Sequence, residues 1–99
     1  MKIYMQAIGF SAGESLEEYL TEKLEKLDTF YDQIIAANVI FKLDNNNSKD
    51  NKIVDIKLEV PGDDILVTKQ GEAFPEVVDI AVDTLKRLII KKKEKISKA

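Results

Sequence analysis

Apolar and polar residues alternate from the start of the chain. In residues 2–8, Ile3, Met5 and Ala7 fall on one face and Tyr4, Gln6 and Ile8 on the other, which is the period of a strand. A turn with glycine at both ends, residues 9–13, follows, and the period then changes. Leu16, Tyr19, Leu20, Leu24, Leu27, Phe30 and Tyr31 recur at the i, i+3, i+4 spacing of an amphipathic helix that runs to about Phe30. Two capping boxes compete to start it, Ser11 with Glu14 and Ser15 with Glu18. Gly13 would make poor helix interior in the first case.

Residues 34–43 read as a second strand, with Val39, Phe41 and Leu43 on one face and Asn38, Ile40 and Lys42 on the other. Residues 44–51 form a polar loop rich in Asn and Asp, which suit turns. Its carboxylates lack the Gly and Glu spacing of an EF-hand, so a hairpin loop is expected, not a calcium site. In residues 52–60, Val54, Ile56, Leu58 and Val60 face inward and Asp55, Lys57 and Glu59 outward. Pro61-Gly62-Asp63-Asp64 is a turn, and residues 65–70 are a fourth strand ending at Gly71. Pro75 suits the first position of a last helix. Its stripe is Val78, Ala81, Val82, Leu85, Leu88 and Ile89, joined later by Ile96. Lys92 stands where that stripe should continue, so the helix is expected to outrun the sheet as a basic projection.

The order β-α-β-β-β-α defines an α+β fold. The first two strands should be parallel across a right-handed crossover, and the later ones antiparallel. The hairpin's outward face is polar, so one sheet face is wet and both helices cover the other. The expected architecture is one two-layer domain over residues 1–99, double-stranded-RNA-binding-domain-like, with a four-stranded mixed sheet.

Composition removes most chemistry. With 44% hydrophobic and 33% charged residues, the chain is globular, not disordered. It has no Cys and no His. Disulfides, thiolate nucleophiles, Cys-ligated zinc and imidazole general bases are therefore absent. There is no phosphate-binding glycine loop and no G-x-S-x-G elbow, so no enzyme, cofactor, metal or small-molecule substrate is expected. The first residues lack the apolar h-region of a signal peptide, and no apolar run is long enough to span a membrane. A cytoplasmic protein, monomeric when free, is expected.

Charge restores a candidate function. Residues 1–85 carry eight Lys against seventeen Asp or Glu, a net of −9, whereas residues 86–99 carry seven Lys or Arg against Glu94, a net of +6. A basic segment on an acidic body suggests a polyanionic partner, although a solvated tail would show the same run. Acidic residues early in the last helix (Glu76, Asp79, Asp83) and basic ones late complement its dipole, but that effect acts only over the end turns. On the first helix, Glu14, Glu18, Glu22, Glu25, Asp28 and Asp32 lie opposite the apolar arc. Lys23 lies inside the arc and Lys26 at its margin. One such lysine commonly snorkels. Two on one flank also suit a groove beside a neighbouring helix. The chain has no aromatic RRM signature and no G-x-x-G loop, so RNA recognition would rest on shape and backbone.

The stretch Gly71-Glu72-Ala73-Phe74-Pro75-Glu76-Val77-Val78-Asp79, followed by Leu85-Lys86-Arg87 and Lys91-Lys92-Lys93-Glu94-Lys95, resembles the last third of the ribosome hibernation-promoting factor family, also called ribosome-associated translation inhibitors. Leu16, Glu18, Tyr19, Lys23, Lys26, Leu27 and the Phe30-Tyr31 pair resemble its first helix. Element order and length match the family's short form; its long forms carry a C-terminal dimerisation domain, before which this chain ends. The resemblance implies binding to the small ribosomal subunit, in the channel of messenger and transfer RNA, and silencing of translation in starved or stationary cells. Carried over by position, the rRNA contacts are Lys23 and Lys26 on the first helix and Arg87, Lys91, Lys93 and Lys95 on the last. Lys86, Lys92 and Lys98 are their basic neighbours. Promotion and blocking of ribosome pairing both stay open. The alternatives are a protein-binding adaptor using the acidic helix face and basic tail, and a general binder of double-stranded RNA.

Overall fold

The computed structural model describes residues 1–44 and 49–97, with side chains described through residue 94. The Asn-rich loop expectation falls largely outside them, as does Lys98. The elements run β1 (Lys2–Ala7), α1 (Glu14–Phe30), β2 (Ala36–Leu43), β3 (Lys52–Glu59), β4 (Ile65–Gly71) and α2 (Phe74–Ser97). Sheet order follows chain order, β1-β2-β3-β4. β1 pairs parallel with β2, from Lys2 opposite Ala36 to Ala7 opposite Phe41. The other two pairs are antiparallel, with Val39 opposite Ile56 and Ile56 opposite Val67. The mixed four-stranded sheet with two helices is the α+β arrangement the periodicities predict.

A single core cluster draws on both helices and on one face of the sheet. Leu20, Leu24 and Leu27 of α1 and Val77, Val78, Ala81, Leu85 and Ile89 of α2 are buried against Val39, Phe41, Val54, Ile56, Leu58 and Val67. These are the alternating and i, i+3, i+4 positions, so each element hides its apolar set on one side. Burying a Leu side chain contributes about 1.5–3 kcal/mol, so this cluster dominates stability. The opposite sheet face carries Asp55, Lys57 and the Lys42–Asp55 ion pair.

Three local expectations need correction. Neither Ser11 nor Ser15 caps α1: Gly13 holds the N-cap position at φ 85°, and no side chain caps this end of the helix. The chain enters α1 through a conformation that favours glycine, so a serine box at either site would have to displace it. Glu14 and Glu17 in the first turn complement the helix dipole instead. Leu43, expected on the same face as Val39 and Phe41, is 40% exposed where those two are buried. Finally, α2 begins at Phe74, one residue before Pro75. Phe74 belongs there because its ring stacks on Phe10 at 5.3 Å and meets Phe41 edge-on at 5.5 Å. Gly71 allows the approach: a Cβ at this position would lie 2.9 Å from Cγ2 of Val77.

Candidate nucleic-acid interface

Where α1 and α2 pack side by side, their flanks leave an open groove of about 470 Å³. α1 lines it with Lys23, Lys26, Leu27, Thr29 and Phe30, and α2 with Asp79, Val82, Asp83 and Lys86. Periodicity explains the set. Asp79, Asp83, Lys86 and Lys93 recur at spacings of three, four and seven, so they share one face of α2 beside its buried stripe. Lys23 lies one residue from buried Leu24, at the edge of the α1 core face. Of the two sequence readings for Lys23, the groove-lining one describes its position, and its side chain remains about a third exposed.

Lys23 is not a free cation. Its Nζ lies 3.3 Å from Oδ1 of Asp79 and 5.4 Å from the centre of the Tyr19 ring. The Tyr19 hydroxyl donates to the same carboxylate oxygen at 2.5 Å. These contacts shift three ionisations together. Hydrogen bonding to Asp79 raises the Tyr19 phenol and the Lys23 ammonium above their ordinary values. The Tyr19 hydroxyl first, and Lys23 after it, hold the Asp79 carboxyl below the ordinary aspartate value. All three are solvent-accessible, so the shifts report geometry more than stored stability.

The other candidates divide into two sectors. Lys86 and Lys93 flank the Phe30 ring, with Nζ 5.4 Å and 4.8 Å from its centre. Lys93 also donates to the Phe30 carbonyl at 3.1 Å. It thereby caps α1, whose last turn contains no basic residue. Arg87 faces outward and pairs with Asp83 at 2.9 Å, one turn back. Lys91 and Lys92 lie on the other flank of α2. With Leu88 they border a recess against Asp63, Asp64, Ile65 and Leu66. Lys92 Nζ is 3.5 Å from the Asp63 carbonyl, the reach that fills its place in the apolar stripe. α2 runs on to Ser97 as the expected basic extension, and through residue 93 it also contacts the domain from both flanks. Lys95 lies within α2, but its side chain is outside the described set, and Lys98 is outside the described residues altogether.

Sequence reasoning missed Asp79 and Asp83 as parts of the groove and Phe30 as the ring beneath two lysines. Arg87 with Asp83 carried a readable i, i+4 signal. The Lys23–Asp79 pair spans fifty-six positions and had none. Among the described residues, no group of His, Cys, Asp and Glu is arranged to hold a metal ion, and no helix is long and apolar enough to cross a membrane.

Two helices on one face of a mixed four-stranded sheet, with a cation-bearing groove between them, define a class of small α+β domain whose candidate site is an interhelical surface. The chain belongs to the family described as sigma 54 modulation protein / S30EA ribosomal protein, whose model matches residues 3–97. This agrees with the resemblance carried by residues 71–95 and by the first helix. Among its relatives, the ribosome hibernation promoting factor of Escherichia coli K12 is 30% identical over 83 residues, 84% of this chain and 83% of that one. The ribosome hibernation promotion factor of Deinococcus radiodurans is 33% identical over 101 residues, 99% of this chain but 52% of its own length. A ribosomal subunit interface protein from Coxiella burnetii superposes with a TM-score of 0.84 at 26% identity, covering 95% of this chain and 99% of that one. The N-terminal domain of Thermus thermophilus Protein Y shares the fold, with a TM-score of 0.76 at 23% identity over 90% of this chain and 96% of that one.

Proposed function

We propose that this chain is a ribosome hibernation factor. As a single ribosome-binding domain it occupies the small subunit's messenger and transfer RNA channel and silences idle ribosomes in stressed cells. The observation that carries the reading is the convergence of Lys23, Lys26 and Lys86 on one groove between the helices, in a chain of this family. Lys26 and Lys86 make no ion pair among the described residues, so their ammonium groups are available to phosphates. Lys93 extends the same face past Phe30. Arg87, Lys91, Lys92 and Lys95 supply a second set of contacts around α2.

Contact with phosphates releases condensed counterions, and each contact adds roughly 0.7–0.9 to the salt slope of binding. Binding to the small subunit is therefore electrostatic and shape-reading, with little readout of base edges, as in binders of A-form duplexes. An occupied channel excludes messenger and transfer RNA by volume alone, so no catalytic group is needed.

Co-sedimentation with small ribosomal subunits over a salt series, with an unrelated RNA duplex as competitor, tests the reading. The expected result is saturable binding near one per subunit that weakens with salt and resists the duplex. Loss to the duplex replaces the reading with a general RNA binder. No binding at low salt removes it and leaves the acidic face of α1, where Glu14, Glu17, Glu18 and Glu22 surround a shallow recess, as a surface for a basic protein.

A further inference from the structure

The groove is not uniformly basic. Asp79 and Asp83, one turn apart on α2, line it beside Lys23, Lys26 and Lys86. Each already holds a cation: Asp79 holds Lys23, with the Tyr19 hydroxyl anchoring the carboxylate, and Asp83 holds Arg87. A surface selected only for affinity to polyanions would gain nothing from two carboxylates within it. Like charges at an interface act mainly against wrong partners.

We propose that Asp79, together with Asp83, is a specificity-determining residue: the two form an acidic strip inside the groove that rejects arbitrary phosphate backbones. A backbone whose phosphates fall on Lys26 and Lys86 and clear the strip keeps both internal pairs closed. An arbitrary duplex sliding through many registers brings phosphates onto Asp79 and finds Lys23 already occupied. This deepens the proposed function, since it rests on a polyanion entering this groove.

Asp79→Asn keeps the shape of the side chain and its hydrogen bond from Tyr19 while removing the charge. Binding is measured for a generic A-form RNA duplex, by fluorescence anisotropy, and for small subunits, by sedimentation, both over a salt series. One freed cation adds roughly 0.7–0.9 to the duplex salt slope, which near 0.1 M salt corresponds to about five- to eightfold tighter duplex binding. Affinity for small subunits is expected to rise less than affinity for the duplex, so the ratio between the two ligands falls. Asp83→Asn is expected to act in the same direction through Arg87, and stands in for Asp79→Asn if that variant is poorly folded. Asp55→Asn, which removes the same charge from the opposite sheet face, is expected to leave the ratio unchanged.

An unchanged ratio in both groove variants, or an equal gain in Asp55→Asn, overturns the proposal while leaving ribosome binding intact. Weaker binding to both ligands also overturns it, and makes Asp79 a positioning residue for Lys23. Failure of the unmodified protein to bind subunits defeats the ribosomal reading by itself, and the acidic strip is then decided on the duplex arm alone.

Discussion

The double replacement of Lys26 and Lys86 by alanine tests the groove most directly. The two residues line the same groove from different helices, and neither is tied to a carboxylate among the described residues. If each contacts one phosphate, their loss removes roughly 1.4–1.8 from the salt slope. Near 0.1 M salt that corresponds to about a 25- to 60-fold loss of affinity for small subunits. The loss should shrink steadily as salt rises, because only the counterion contribution is touched. The structural side effect is small. Lys86 leaves the Phe30 ring, at a cost of about 0.5–1 kcal/mol for an exposed cation–π contact, while Lys93 stays 4.8 Å from the ring centre. Urea denaturation separates that loss from binding. Lys57→Ala is the matched control, since Lys57 lies on the sheet face turned away from both helices. An unchanged slope in the double variant with a reduced slope in Lys57→Ala would place the RNA on the sheet and refute the groove.

Other consequences concern stability. Leu24→Ala opens a cavity in a fully buried position and should cost about 2–5 kcal/mol, read from the urea midpoint at constant m-value. Gly71→Ala drives a methyl against Val77 and should cost about 1–3 kcal/mol, with a shift in the Phe74 aromatic signals as α2 backs away. Lys93→Ala removes the cap on α1 and one partner of Phe30, so its thermal midpoint should fall where that of Lys91→Ala does not. The Asp79 carboxyl lies below its ordinary value, so its contribution is present above the unfolded aspartate pKa and is lost as pH falls through the folded one. Tyr19 and Lys23 lie above theirs, so their contribution is complete below the unfolded values and is lost as pH rises through the folded ones. Asp79→Asn should flatten both limbs of a stability–pH curve, and persistence of either limb would assign it to other groups.

The elements were legible because each announces itself by period. The switch from alternation at Ile3, Met5 and Ala7 to helical spacing at Leu20, Leu24 and Leu27 needs no tertiary information. The start of α1 was not legible, because two serine boxes satisfy the same local rule and the positive φ at Gly13, which sets the actual N-cap, overrides both. The basic residues were individually visible, but their grouping was not. Lys86 and Lys91 look alike in a run of positive charge, yet they lie on opposite flanks of one helix. Lys23, Asp79 and Tyr19 come together only because α1 and α2 pack side by side, and no spacing within either helix encodes that.

The two lysines that look most like a solvated tail also contact the rest of the domain. Lys92 reaches the Asp63 carbonyl in the β3–β4 turn, and Lys93 reaches the Phe30 carbonyl at the end of α1. Each contact alone is weak, since both ammonium groups are close to water. They act from opposite flanks of the same turn, so each ties that turn of α2 to a different neighbouring segment. A segment carrying six net positive charges would otherwise repel itself and sample many orientations, and a partner would have to order it on binding at about 0.5–1.5 kcal/mol per side chain immobilised. Among the described residues, Lys92 and Lys93 already contact the body of the domain beside the groove, while Glu14, Glu18 and Glu22 line a separate recess on α1. Under the proposed function, that division of charge would steer a polyanion toward the side of the molecule that carries α2.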